Sequence, residues 1–279
     1  WKKMPDGTRI VKTRMCARGC LDRQKHLIPT RSTTATRLSQ RLIVSLSVLL
    51  GFSLESWDVS GAFLKGFSFD RIKQFFDKMG IRIPQRNVVI SVPATVWRHF
   101  SSMEDKALHI DIRDASSWFL QALKAIYGLG DAPLAWQLCL FEFFVVDLKG
   151  CQSQFDENFF MWFNETSCEV DALASAHVDD NNVASTPDWL SRGHLMMEKR
   201  FGKIARQTLP FTHTGLRHEN LQDGGRKIHQ DEFCQKLVPL GLDPTAMDER
   251  PLTKDETTVF RSILGGLLWL RLTRMDAIA

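Results

Sequence analysis

The spacing of apolar and polar residues changes period several times along the chain, and each change predicts an element. The run Leu42 to Phe52 (LIVSLSVLLGF) is apolar apart from two serines. With Thr36 or Ser39 as a cap, it predicts a buried helix of about 14 residues ending near Gly51. FSLESWDVSGAFLKG (52–66) alternates like a strand as far as Asp58 and then takes helical spacing. VVISVPATVWRHF (88–100) predicts a short strand and a helix opened by Pro93. Residues 117–127 predict a helix that breaks at Tyr127-Gly128-Leu129-Gly130, after which Pro133 opens the apolar helix LAWQLCLFEFFVVDL, reaching to Gly150. Two strand-like runs follow, Asn158–Phe163 and Cys168–His177, and then VDDNNVAS, so Asp179-Asp180 reads as the two-residue turn of a hairpin. A helix (Pro187–Phe201), a strand region (Ile204–Arg217) and two more helices complete the pattern. At the front, Met4-Pro5-Asp6-Gly7 predicts a hairpin turn, and IVKTRMCARG alternates as a strand. The stretches 21–36 and 67–87 are polar or charged and read as irregular. Helices and strands interleave without regular βαβ spacing, which points to an α+β fold.

Composition changes this picture little, but charge distribution changes it more. With 279 residues, 44% hydrophobic and 24% charged, the chain is an ordinary globular one with ample sequence for a core. Residues 1–41 hold eleven Lys/Arg against two acids, Asp6 and Asp22, an excess of nine in a chain whose net charge is +4. A basic front segment on a near-neutral body suits contact with polyanions, and equally suits a solvated arm. The six cysteines form no CxxC pair and no zinc-finger alternation, which favours free thiols in a reducing compartment. His213 and His218 share a strand region without other ligand types nearby and read as structural histidines. The apolar run at 42–52 is roughly half a membrane span, so no membrane association is expected. A start at Trp1 and an end within an apolar helical pattern predict a piece of something longer.

The candidate chemistry lies in carboxylates. Phosphate chemistry with two Mg²⁺ ions needs oxygen ligands that bridge cations about 3.5–4 Å apart. Asp179 and Asp180 at a hairpin tip, with Asp58 at the end of another strand, are residues of the right kind in the right setting. Alone, a pair of aspartates is also a common turn.

The surrounding segments add a resemblance that covers nearly the whole chain and fades only over about 21–36 and 67–115. WDVSGAFLKG (57–66) resembles the copia-type pattern of Asp-Val, two variable residues and Ala-Phe-Leu-x-Gly. LKAIYGLGDAPLAW (123–136) is similar to "LYGLKQAPRAW", HVDDNNVAS (177–185) to "YVDD" with its trailing strand, and VKTRMCARG (11–19) to "KARLVARG". FTHTGLRHE (211–219), KIHQDEFCQKL (227–237) and FRSILGGLLWLRLTRMD (260–276) match further segments in the same order. On these motifs the chain resembles the reverse transcriptase domain of the Pol polyprotein of copia-type LTR retrotransposons.

That resemblance implies a right-hand polymerase fold. Residues 1–52 would form a fingers-like basic hairpin and helix. Residues 53–203 would form the palm, with a finger insertion at about 67–127, and 204–279 a thumb and connection region leading toward an RNase H domain. It implies RNA-directed DNA polymerase activity. Asp58, Asp179 and Asp180, assisted by the Val59 carbonyl, would bind two Mg²⁺ ions, with Mn²⁺ as an alternative. Phe63 would be the steric gate against a ribose 2′-hydroxyl; on the residues alone a core Phe is the better reading. Lys12, Arg14 and Arg18 are candidates for holding the triphosphate, placed on one face by strand alternation, and which of them does so stays open. Tyr127 and Gly128 would line the nucleotide pocket, His177 would support the primer end, and Lys199 in EKRFG is a candidate general acid. The implied partners are a primed RNA or DNA template, dNTPs, and the integrase and RNase H regions of the same polyprotein. The implied setting is intracellular, in a cytoplasmic particle or the nucleus.

The chain departs from the pattern at His177, where the family usually has Tyr, and at Gly130-Asp131, where it has Lys-Gln. The second change removes a cation and adds an acid near the expected nucleotide. A catalytically weakened remnant that folds and binds nucleic acid without synthesis is therefore the alternative reading.

Overall fold

The computed structural model describes residues 2–3, 9–10, 14–100, 111–238, 251–271 and 273–274. Its centre is a six-stranded antiparallel sheet in the order β10-β3-β9-β8-β7-β6, formed by β3 (Ser53–Asp58), β6 (Cys151–Gln152), β7 (Phe159–Phe163), β8 (Val170–His177), β9 (Asp180–Ser185) and β10 (Ala205–Thr208). Alternate residues of a strand face opposite sides, and here both sides are covered. Trp57, Phe160, Trp162, Ala172, Ala174, Ala176 and Val183 meet one core, completed by α5 (Ala132–Glu142), a following π-helical turn (Phe143–Asp147) and α6 (Pro187–Phe201). Leu54, Phe159, Leu173 and Ala184 face the other way, onto Ile43 and Val44 of α1 (Arg37–Leu49) and onto Phe211. The architecture is α+β, as the pattern predicts.

Most elements follow from local sequence. Thr36, rather than Ser39, caps α1 by accepting from the Ser39 amide at 3.2 Å. Ser39, Ile43, Val44 and Ser47 form its buried face, and the Ser47 hydroxyl is satisfied by the Val44 carbonyl at 2.6 Å. The helix is covered on one side only, since Leu38 and Leu49 are 75% and 78% exposed. The helix opened by Pro93 is α4 (Ala94–Phe100), after β4 (Val88–Ser91). At the front, β1 (Lys2–Lys3) pairs with β2 (Arg9–Ile10). The expected hairpin therefore forms; its turn lies outside the described residues.

Three expectations need correction. The charged stretch 67–87 contains a helix, α3 (Phe69–Lys78), following the short α2 (Ala62–Lys65). Ser68 caps α3, Asp70 and Lys78 suit its dipole, Lys73 and Asp77 pair one turn apart, and Phe69 and Ile72 are buried. The dense charge hid a short apolar face. Residues 117–127 hold a strand, β5 (Phe119–Ala122), rather than a helix, because Val88–Ser91 offers an antiparallel partner along its length. The strand region 204–217 splits between sheets. β10 edges the large sheet beside β3, whereas β11 (Phe211–His213) begins a three-stranded sheet with β12 (Leu216–Asn220) and β13 (Arg226–His229). The two later helices are α7 (Asp231–Cys234) and α8 (Lys254–Leu270), the second opened by a Thr253/Glu256 capping box. All six cysteines are free. Among the described residues no helix is long and apolar enough to cross a membrane.

Candidate active site

The three acids lie on two adjacent strands of the central sheet and on the turn that leads into one of them. Asp58 ends β3, Asp180 begins β9, and the two are direct partners in the antiparallel register. Across the hairpin, Asp180 is opposite His177, so the central residues of the turn are Val178 and Asp179, one position earlier than the sequence predicts. A shift of one residue reverses which face a side chain meets. Asp180 is thereby a strand residue on the same face as Ala184, while Asp179 stands exposed at the tip.

The tip is held against strain. Val178 has φ 59°, a left-handed conformation costly for a β-branched residue, on the order of 1–3 kcal/mol. Its carbonyl accepts from the Trp136 indole at 2.6 Å. The Asp179 carbonyl accepts from the Val59 amide at 3.0 Å and from Asn181 Nδ2 at 3.1 Å, and that same amide nitrogen also donates to the Trp57 carbonyl at 3.2 Å. Asn181 thus ties the hairpin to the end of β3. Both Trp136 and Asn181 are buried, so these bonds are shielded from water.

The electrostatics are those of crowded anions. Burial, and then the neighbouring Asp58 and Asp179 charges, push the Asp180 carboxyl up to about 6. His213 Nδ1 lies 3.9 Å from Asp180 Oδ2, but burial and the neighbouring His218 and His177 push that imidazole down to about 3. It is neutral at pH 7, so the contact is no ion pair. His218, stacked on Phe211 with ring centres 5.1 Å apart, is pushed down to about 4, chiefly by burial. Burial also lowers His177, against the pull of Asp179, and lowers Lys65, against the pull of Asp58. Among the described residues, no three His, Cys, Asp or Glu side chains are grouped, as they stand, to hold a metal ion. By donor type and charge the acids suit Mg²⁺ nonetheless. All offer hard oxygen, and the repulsion felt by Asp180 is what a divalent cation between carboxylates relieves.

A second group of the expected residues meets at Tyr127. Phe63 of α2 lies against Tyr127, ring centres 5.4 Å apart, and the Arg14 guanidinium sits 5.5 Å above the Tyr127 ring. The front segment docks here because two glycines meet. The Ala17 amide donates to the Tyr127 carbonyl at 2.7 Å. A Cβ on Gly128, whose φ is 91°, would lie 2.1 Å from the Ala17 carbonyl oxygen, and one on Gly19 would lie 2.0 Å from that of Gly128.

Other expected residues are placed differently. Residues 14–18 form no strand, so alternation does not set Arg14 and Arg18 on a common face. Arg14 covers Tyr127, while Arg18 is exposed at the start of a short 3₁₀ turn, Gly19–Leu21. Lys12 lies outside the described residues. Lys199 is exposed in the last turn of α6, whose buried residues pack on the Trp57 face of the sheet, away from the Asp180 side. Asp131 does not add its charge to the pocket as the sequence reading expects. It is buried at 4% exposure, and Arg86 Nε donates to it at 2.8 Å while the same guanidinium holds Asp22.

Trp136, Asn181 and Arg86 hold positions here that are not among those expected from the sequence pattern. The signal for Asn181 was present, since two asparagines interrupt an otherwise apolar buried strand. Arg86 carries none, because its partners lie 45 and 64 residues away. Compared with models of known families, with curated proteins and with solved structures, the chain matches none.

Proposed function

We propose that this chain is the reverse transcriptase segment of a copia-type LTR retrotransposon Pol polyprotein, an RNA-directed DNA polymerase with a right-hand fold. The observation that carries the reading is the pairing of Asp58 with Asp180 across adjacent strands, with Asp179 next to Asp180 at the tip of the β8–β9 hairpin. In this reading residues 1–52 belong to the fingers, 53–203 to the palm and 204–279 to the thumb and connection.

Asp58, Asp179 and Asp180, with the Val59 carbonyl, would hold two Mg²⁺ ions. When bound, these supply activation of the primer 3′-hydroxyl and neutralisation of charge on the phosphates. The chain's own contribution is positioning and electrostatics. Trp136 and Asn181 fix the hairpin that carries Asp179 and Asp180. Arg14 offers a cation to the triphosphate, and Phe63 offers an aromatic edge to exclude a 2′-hydroxyl. His177 lines a cavity of about 570 Å³ with Gln40, Thr214, His218 and Trp269, at the end of β8 where the reading puts the primer terminus. Burial lowers the pKa of its imidazole, against the pull of Asp179. The template with its primer, dNTPs, and the integrase and RNase H regions of the polyprotein are the partners, in a cytoplasmic particle or the nucleus.

A remnant that binds nucleic acid without synthesis is the second reading. It is favoured by the three acids not standing together, among the described residues, as a metal-holding group. Purified protein, primed homopolymer RNA, dNTP and Mg²⁺ separate the two. The first reading expects extension that Asp179→Asn abolishes. Salt-sensitive binding with no extension by the wild type would favour the second.

A further inference from the structure

We infer that the polar layer beneath Asp180 is a binding site for internal water, a seam running from the cavity beside His177 to the His213 side of that carboxylate, whatever the acids catalyse. The layer follows from strand register. Asn182 lies two residues after Asp180 on β9 and so shares its face of the sheet. Ser56 of β3 and Ser175 of β8 are its direct cross-strand partners, and the next row along that face is Leu54, Ala184 and Leu173. A polar row thus separates the acids from the apolar core. His213 and His218 approach the same face from β11 and β12, the first 3.9 Å from Asp180 and the second with its ring centre 6.3 Å from that of the first.

Ser175, Asn182, His213 and His218 are 0%, 0%, 1% and 3% exposed. With His177 they hold eight buried side-chain atoms without a hydrogen-bond partner among the described residues. These are Ser175 Oγ, Asn182 Oδ1 and Nδ2, His177 Nδ1, and both ring nitrogens of His213 and His218. Buried polar groups are rarely left so, and this many on one face call for a common partner. Chemistry selects it. Burial keeps His213 and His218 neutral at pH 7, so each ring offers one donor and one acceptor. Asn182 offers both kinds from one amide, and the Ser175 hydroxyl serves as either. A cation would face the N–H groups, and an anion would face Asp180 and the Asn182 carbonyl. Water both donates and accepts. It has access where His177 and His218 line the cavity of about 570 Å³ between α1 and the three-stranded sheet. At 3.9 Å, His213 Nδ1 and Asp180 Oδ2 are too far apart to bond directly and close enough to share one water. With about three bonds to each molecule, eight such atoms call for roughly three waters.

A crystal structure of the full chain that resolves ordered water is the test. The wild type should show water bonded to Asn182, Ser175 and His213, with one molecule touching both His213 and Asp180. Asn182→Leu, which keeps the branched shape and removes both polar atoms, should lose the waters that bond the amide. Should that variant fail to fold, Ser175→Ala removes a hydroxyl with little change of volume and should lose about one water. Oxygen-17 relaxation dispersion in solution should register the same fall in long-lived waters. Direct bonds among Asn182, Ser175 and the histidines with no water between them would overturn the inference. So would a metal ion or another solute in the seam in place of water, or an unchanged water count in whichever variant folds.

Discussion

Replacing Asp180 with Asn should make the metal-free protein more stable, not less, at neutral and alkaline pH. In the folded chain burial and the two neighbouring acids raise this carboxyl from 3.8 to about 6. The folded state therefore holds the proton more tightly than the unfolded one. The favourable contribution is complete below the unfolded value and is lost as pH rises through 6, above which the ionised group is a net cost. A rise of about two pKa units corresponds to about 3 kcal/mol at full burial. The Asp180 side chain is 36% exposed, and solvent screening reduces this to about 1–2 kcal/mol. Asn keeps the shape and removes the charge. Urea unfolding in the presence of a chelator should show the variant ahead by that amount at pH 8, with the gap closing toward pH 4. Adding millimolar Mg²⁺ at pH 8 should stabilise the wild type and stabilise the variant less. A variant less stable than wild type at pH 8, or a gap that does not change with pH, would refute the crowded-carboxylate picture.

Trp136→Phe deletes the indole donor to the Val178 carbonyl and leaves a small void, so thermal unfolding should show a loss of about 1–3 kcal/mol, with a fall in any primer-extension rate. Arg86→Met strands two buried carboxylates and should cost about 3–5 kcal/mol by urea unfolding, much of it recovered when Asp22→Asn and Asp131→Asn are added. His213 and His218 have folded values near 3 and 4, below the ordinary 6.5, so the stability tied to their neutrality is present above 6.5 and drains away as pH falls below it. The unfolding midpoint should drop on that acid side, and His218→Phe, which keeps the stack on Phe211, should flatten the drop.

Local periodicity made much of the fold legible. The Thr36 cap, the strand ending at Asp58, the helix opened by Pro133 and the helix Pro187–Phe201 all follow from patterns within one element. The failures share a cause. Phe119–Ala122 is a strand because Val88–Ser91, well before it in the chain, pairs with it, and nothing within the segment says so. The hairpin turn is displaced by one residue because Val178 takes a conformation that sequence rules assign to Gly or Asn, held there by Trp136 from another element.

The candidate site was legible in the same measure. Asp58, Phe63, Tyr127, Asp179 and Asp180 could be marked from their motifs, and the structure gathers Phe63, Tyr127 and Arg14 into contact. What holds them was not legible. Gly19 against Gly128, Asn181 against the end of β3, and Arg86 neutralising Asp131 are long-range pairings. Asp131 is the sharpest case. Read along the chain it is an acid added to the nucleotide pocket, and in the fold its charge is spent on a buried guanidinium.

We propose that Asp58, Asp179 and Asp180 form a metal-dependent nucleotide-transfer site. The most direct measurement is single-nucleotide addition to a labelled DNA primer on an RNA template, with wild type and Asp179→Asn compared in Mg²⁺ and in Ca²⁺. The wild type should lengthen the primer by one nucleotide in Mg²⁺ alone, and Asp179→Asn should lengthen it in neither ion. Addition by Asp179→Asn at the wild-type rate, or no addition by a folded, template-bound wild type in Mg²⁺, would contradict it.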